Sequence, residues 1–343
     1  MPISPPMQRT THDHRHSPLH TIVNSARGRI GGGVVFGRSS ATARSAYRSR
    51  RAYAARMWPG YVATAWAGRM ISAEEEKALA MKCIRCESKR TRKDGQTRLG
   101  GQRWRCNDCA RRFTARSTSA FSHHGFPDDV IALAVRWYVH YRLSYADVVE
   151  WFAERGLVVN RSTVYRWVQR LLPLFAEAAR SHRRPVGKKW RVDETYVRLQ
   201  GRWTYVYRAI DEDGQVVDAY FSKRRNATAA EGFFRRALDE TGVTPSRVTT
   251  DKAKCYPPAL HAVFRDAEHR TSTYLNNGIE RDHGQLKQRL YPMRGFKEAT
   301  SAGMIVRGHA LVRNLRNGFS TLTVTIPINL RLAVAWPQLA RAI

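Results

Sequence analysis

The chain has 343 residues, 43% of them hydrophobic, with 59 Lys and Arg against 28 Asp and Glu, a formal net charge of +31. That length allows two or three domains with real cores, and no apolar run of about 18 residues exists to span a bilayer. A charge of this size excludes an ordinary solvated surface and calls for a polyanionic partner, nucleic acid ahead of an anionic membrane.

Residues 1–80 carry scattered Arg, Ser, Gly, Ala and His without a sustained period, and few acids precede Glu74. This composition predicts a disordered basic segment. It also mimics an organellar transit peptide. A third reading is that the segment is not translated: Met81 stands two residues before Cys83, where a compact domain begins, and Met70 is the other candidate start.

Cys83 and Cys86 form one CxxC, and Cys106 and Cys109 form another. Their separation falls in the range of about 15–20 residues typical of four-cysteine sites. The pattern predicts a structural Zn2+ ion in a zinc ribbon over residues 81–119, with two disulfides as the alternative. Cys255 is left over as a buried thiol. Asp94-Gly95 predicts the hairpin turn, and Gln102–Arg105 the strand into the second pair. Nine Lys and Arg residues between Lys89 and Arg112 suggest phosphate contacts.

Residues 126–180 follow helical periods. Pro127 opens the first helix, and Ser144 caps a second that Gly156 ends. Asn160 or Ser162 starts a third that stops before Pro173. The tight connection before the last helix predicts a helix-turn-helix, with Arg161–Leu171 as its recognition helix. That helix would offer Arg161, Ser162, Thr163, Tyr165 and Arg166 to a groove. A plain three-helix linker bundle is the alternative.

Residues 190–222 are rich in Val, Tyr, Trp and Thr. Turn signals at Gln200-Gly201 and Asp211–Gly214 divide them into three antiparallel strands. Asp193 stands in the first, and a carboxylate there needs either a cation or an Arg partner such as Arg191 or Arg208. Thr228–Glu231 reads as a capping box for a helix ended by Gly242. Arg247–Asp251 is then a strand parallel to the first, ending on Asp251. Asn276 onward enters a helix on which Glu280, His283, Gly284 and Lys287 share a face. The alternative there is a solvated charged helix.

Taken together, Val192-Asp193-Glu194-Thr195-Tyr196-Val197, Trp203–Asp211, Thr250-Asp251-Lys252-Ala253, Asn277–Lys287 and Met293-Arg294-Gly295-Phe296-Lys297 resemble the DDE transposases of insertion sequences, family six, including members with an N-terminal zinc ribbon. The resemblance implies an α/β fold, a ribonuclease-H-like catalytic core over 187–320, a mixed sheet with flanking helices, preceded by the ribbon and helix-turn-helix and followed by a tail over 321–343. It implies a triad of Asp193, Asp251 and Glu280 holding Mg2+ or Mn2+, with Lys287 contacting DNA. Three carboxylates around two divalent ions about 4 Å apart suit in-line phosphoryl transfer. The partners would be transposon terminal inverted repeats, target DNA and further copies of the chain, in the cytoplasm of a prokaryote at its nucleoid. The Asp251–Glu280 segment is several residues shorter than is usual in that family, around Val263–Asp266. A shift of the Glu280 helix by part of a turn would aim that carboxylate away. A catalytically dead, transposase-derived DNA-binding protein is therefore the alternative reading.

Overall fold

The computed structural model describes residues 81–97, 100–271 and 277–343. The stretch 1–80, with its candidate start at Met70, lies outside the described residues, as does Asn276.

In the ribbon, β1 (Thr91–Gln96), β2 (Gln102–Cys106) and β3 (Arg112–Thr114) form an antiparallel sheet. The strand into the second cysteine pair is as expected, but the turn is not at Asp94-Gly95. Both residues lie inside β1, where the pairing slips between Lys93 and Gln96 and Gly95 has φ 75°. The chain reverses between Thr97 and Gly101, with the Thr97 N–H donating to the Gly101 carbonyl at 2.9 Å. An Asp-Gly pair serves a bulge as readily as a two-residue turn, and sequence alone does not separate the two.

Three helices follow: α1 (Asp128–His140), α2 (Tyr145–Ala153) and α3 (Arg161–Ala178). Ser144 caps α2 in a reciprocal capping box with Asp147. Two expectations are corrected here. The α2–α3 connection spans residues 154–160, longer than the usual 3–4-residue turn. Helix α3 also runs through Pro173 rather than stopping before it. Proline costs an interior helical hydrogen bond, but Leu171, Leu172 and Phe175 are fully buried and anchor the turns on both sides.

The second sheet has the order β6-β5-β4-β7-β8. Strands β4 (Lys189–Leu199), β5 (Arg202–Ile210) and β6 (Val216–Ser222) make the expected antiparallel meander. Gln200 and Gly201 both have positive φ at the first turn, and Gly214 at the second. Helix α4 (Ala227–Thr241) crosses to β7 (Arg247–Thr250), parallel to β4. Its cap is Asn226, whose side chain accepts from the Ala229 N–H at 3.0 Å, rather than the capping box read at Thr228. Helix α5 (Tyr256–Val263) leads to β8 (Glu268–Thr271), a polar edge strand that no alternation announced. Then come α6 (Asn277–Leu290), α7 (Ala299–Asn317) and α8 (Arg331–Arg341).

One sheet face packs Trp190, Val192, Tyr207 and Ala209 against Phe233, Phe234, Tyr256 and Leu260 of α4 and α5. The other face, with Val197, Leu199 and Val206, joins a core shared by α1, α2, α3, α6, α7 and α8. The result is the expected α/β arrangement, a mixed sheet with helices on both faces. Helices α3 and α7 approach so closely that a Cβ at Gly308 would stand 2.6 Å from Leu172. Residues 321–343, read from the sequence as a tail, contain α8. Its Trp336 stacks on Phe175 at 4.4 Å and donates its indole N–H to the Ala132 carbonyl at 2.9 Å.

The Met293–Lys297 motif has a structural role. Past Arg191, β4 outruns β7, and Phe296 covers the vacated edge. Its N–H donates to the Arg198 carbonyl at 2.7 Å, and its own carbonyl accepts from the Gln200 N–H at 2.8 Å. Gly295 has φ 112°, and an added Cβ would meet Arg198 at 3.0 Å, so only glycine fits there without strain.

Candidate active site

Strands β4 and β7 pair only from Lys189 to Arg191. Asp193 and Glu194 therefore sit just beyond the end of β7, and Asp251 is the first residue after it. One carboxylate oxygen from each of these three lies within 4.8 Å of the others. Successive strand residues face opposite sides of a sheet. Here the free edge past β7 lets both Asp193 and Glu194 reach Asp251.

Like charges crowded together disfavour ionisation. Burial first, and then Glu194 and Asp251, push the Asp193 carboxyl up to about 7. Asp251 divides its oxygens: Oδ1 accepts from the Ala253 N–H at 3.0 Å, and Oδ2 faces Arg225 Nη2 at 3.2 Å. Glu194 is buried, accepts from the Tyr256 hydroxyl and pairs with Arg225 Nε. Arg225 thus bridges two of the three acids. An all-oxygen acidic group of this kind fits a hard divalent cation. Neither Glu194 nor Arg225 was singled out from sequence. Arg225 reads there as one of three basic residues after β6, and its partners are 26 and 31 positions away.

Helix α6 presents its acids and base in three directions. Asp282 is buried and pairs with Arg208, a fully buried side chain, and with Arg313 Nε at 3.3 Å. Burial pushes the Asp282 carboxyl up, but Arg208, helped by His309 and Arg313, more than offsets this and holds it below its usual range. Arg208 is the cross-strand neighbour of Asp193, yet it is engaged with Asp282, so the simple Asp193–Arg208 pair does not form. Arg191 instead reaches the Asp211 carbonyl, at 3.5 Å.

His283 is the group that meets Asp193, with Nδ1 3.5 Å from its Oδ2. Burial, then Arg208, lowers the His283 pKa to about 4, so the ring is neutral near pH 7. Glu280 is exposed on the first turn of α6 and stands outside the Asp193–Glu194–Asp251 group. It lies one turn before His283, about 60° round the helix and about 4.5 Å along its axis. Lys287, one turn after His283, is half-buried.

On α3, Arg161, Ser162, Tyr165 and Arg166 are exposed and Thr163 is half-buried, while Val164, Trp167 and Val168 face the core. This is the split of an amphipathic helix with one outward face. In the ribbon, Cys83 and Cys109 have sulfurs 3.5 Å apart, Cys86 and Cys106 3.6 Å, and all four lie within 4.8 Å. Those gaps exclude disulfide bonds, which are about 2.05 Å long. They suit a tetrahedral ion with Zn–S near 2.3 Å, whose sulfurs stand about 3.8 Å apart. A hollow beside Cys109 is lined by Arg85, Arg105, Arg111 and Arg112. Cys255 is only half-buried.

Among the described residues, no helix is long and apolar enough to cross a membrane. A family model described as a DDE domain matches residues 187–319. The transposase for insertion sequence-like element IS431mec of Staphylococcus aureus is 40% identical over 174 residues, which is 49% of this chain and 77% of that protein. The transposase for insertion sequence element IS257 in transposon Tn4003, also of Staphylococcus aureus, matches with the same identity and coverage. Among solved structures, the catalytic core domain of BIV integrase is 20% identical and covers 38% of this chain and 84% of that one at a TM-score of 0.30, a likeness too slight to build on. The Asp193 and Asp251 strands lie side by side in one sheet, the DDE domain matches across them, and a relative with 40% identity extends over most of its own length: the chain belongs to the DDE transposases of insertion-sequence family six.

Proposed function

We propose that this chain binds the terminal inverted repeats of an insertion sequence and catalyses metal-dependent DNA cleavage and strand transfer into a target. The observation that carries the reading is the meeting of Asp193, on the long central strand, with Asp251, at the end of its parallel neighbour. Strand ends of this kind are where sites assemble in α/β sheets. Asp193, Asp251 and Glu280 are the residues assigned to hold Mg2+ or Mn2+, which when bound would activate an attacking hydroxyl and offset charge at the phosphate. Neutral His283 backs Asp193 from α6, and Lys287, one turn on, is assigned to a DNA phosphate.

Arg161, Thr163, Tyr165 and Arg166 on α3 are assigned to the transposon end. Cys83, Cys86, Cys106 and Cys109 are assigned to a structural Zn2+ in a ribbon over 81–119. The helix-turn-helix would then occupy 126–180 and the catalytic domain 187–320. The working form is a homodimer or larger assembly on paired ends, in the cytoplasm of a prokaryote at its nucleoid.

Glu280 joins the acids in this reading when the first turn of α6 rotates inward by about 60°. Its exposure also favours a second reading, a DNA-binding protein whose third acid is displaced. A strand-transfer assay with inverted-repeat DNA and magnesium separates the two. Joined products support the transposase. A salt-sensitive complex without cleavage supports the second reading, and cleavage without joining indicates a different nuclease. Glu280→Gln is expected to abolish cleavage and keep DNA binding. Wild-type cutting by Glu280→Gln together with an inactive Glu194→Gln would transfer the third position to Glu194.

A further inference from the structure

The far half of the β4–β5 hairpin carries large exposed side chains, with the half-buried Tyr205 packed at their base against the core. Tyr196 is 47% exposed and Trp203 59%. Register places Tyr196 opposite Tyr205 and Arg198 opposite Trp203. All four share the face that carries Glu194, since strand residues two apart point the same way. The rows are in contact: the Tyr196 and Tyr205 ring centroids are 5.3 Å apart, and the Arg198 guanidinium lies 4.8 Å from the Trp203 centroid. Phe296 grips the Arg198 backbone from the side, so the surface is built on a held strand rather than a loop.

We propose that Tyr196, Arg198, Trp203 and Tyr205 form a stacking platform for unpaired nucleotides beside the cut site, an inference that rests on the transposase reading. At about 3.3 Å per residue, Tyr196 lies about 7 Å and Arg198 about 13 Å along the strand from Glu194. The platform therefore begins where the acid group ends. Exposed aromatic rings accept any base face, and arginine adds cation–π attraction and phosphate pairing. The surrounding charge matches a polyanion: Lys223 and Arg224 are exposed just past the β6 residue that pairs with Tyr205, and Glu194, already paired with Arg225, is the acid at its inner end. A nuclease that must expose a phosphate at a duplex end gains from capturing the bases it unpairs.

The test uses the full chain in magnesium-free buffer with two probes of equal duplex length, one blunt and one with a five-nucleotide single-stranded 3′ overhang carrying 2-aminopurine at the junction. Wild-type protein is expected to quench the 2-aminopurine and to bind the overhang probe more tightly. Stacking lost by alanine substitution weakens binding about 5–150-fold per base. Trp203→Ala and Tyr196→Ala are therefore expected to lose affinity in that range for the overhang probe, keep blunt-duplex affinity and abolish quenching, whereas Trp203→Phe retains most of the effect. Equal losses on both probes, or no quenching by wild-type protein, overturn the proposal. So does a smaller oligomer for Trp203→Ala in sedimentation with quenching intact, which would make this face a contact between copies. Asp251→Asn is expected to quench normally, so a failed strand-transfer assay and a failed platform are distinguishable.

Discussion

The cysteine group and the carboxylate group each gather acidic side chains, but their surroundings hold them by opposite means. Around the cysteines, the ribbon buries little more than Trp104 and Phe113 with two of the cysteines themselves. So small a core does not stabilise a fold unaided. The sulfurs need an ion to justify their closeness. The carboxylates stand instead on a five-stranded sheet with packed helices on both faces, a core built without them. In the ribbon the site makes the fold. In the core the fold makes the site and bears the repulsion, with Arg225 and Tyr256 relieving part of it.

The largest expected effect breaks the ribbon. Structural zinc binding contributes on the order of 10–16 kcal/mol of apparent free energy near pH 7. Cys106→Ser is expected to abolish zinc uptake and open residues 81–119 to protease, with the main thermal transition of the chain unchanged. Elemental analysis and limited proteolysis check both halves. A ribbon that resists protease without zinc would remove the contrast.

Next is Asp282→Asn, which leaves Arg208 buried without its ion-pair partner. Breaking one side of a buried pair costs about 3–5 kcal/mol, so the denaturant midpoint should fall substantially. Asp282 is two residues from Glu280, yet the two belong to opposite categories: one clamps α6 to the sheet, and the other faces solvent. Equal stability of Asp282→Asn and Glu280→Gln would contradict that division.

The third effect has the reverse sign. With its pKa raised to about 7 in the folded chain, against about 3.9 when unfolded, Asp193 keeps a proton that the unfolded chain has released. Stability should therefore fall as pH rises from about 4 to 7 and level off above it. Asp193→Asn removes this slope, so in magnesium-free buffer the variant should melt higher than the parent at pH 7 and converge with it near pH 4. Melting temperatures across that range check the sign, and a variant less stable than the parent at pH 7 would mean that Asp193 is a structural partner.

Much of this was legible from local pattern. Alternation and turn chemistry marked β4, β5 and β6, CxxC spacing marked the sulfur group, and an Asp within the first strand together with an Asp ending the strand after the crossover helix marked the carboxylate site. These signals are short-range: period two along a strand, two thiolates on one turn, a helix long enough to force a parallel crossover. What tertiary structure decided depends on pairs far apart in the chain. Glu194 meets Tyr256 and Arg225, Arg208 meets Asp282, and Phe296 closes the edge that β7 leaves open. The helical face on which Glu280 stands was readable, but the rotation of that helix was not. It is set by burying Ile279, Leu286 and Leu290 together with the Asp282–Arg208 pair, which turns the neighbouring carboxylate outward. Spacing assigns residues to a common face, and only packing against the rest of the molecule says where that face points.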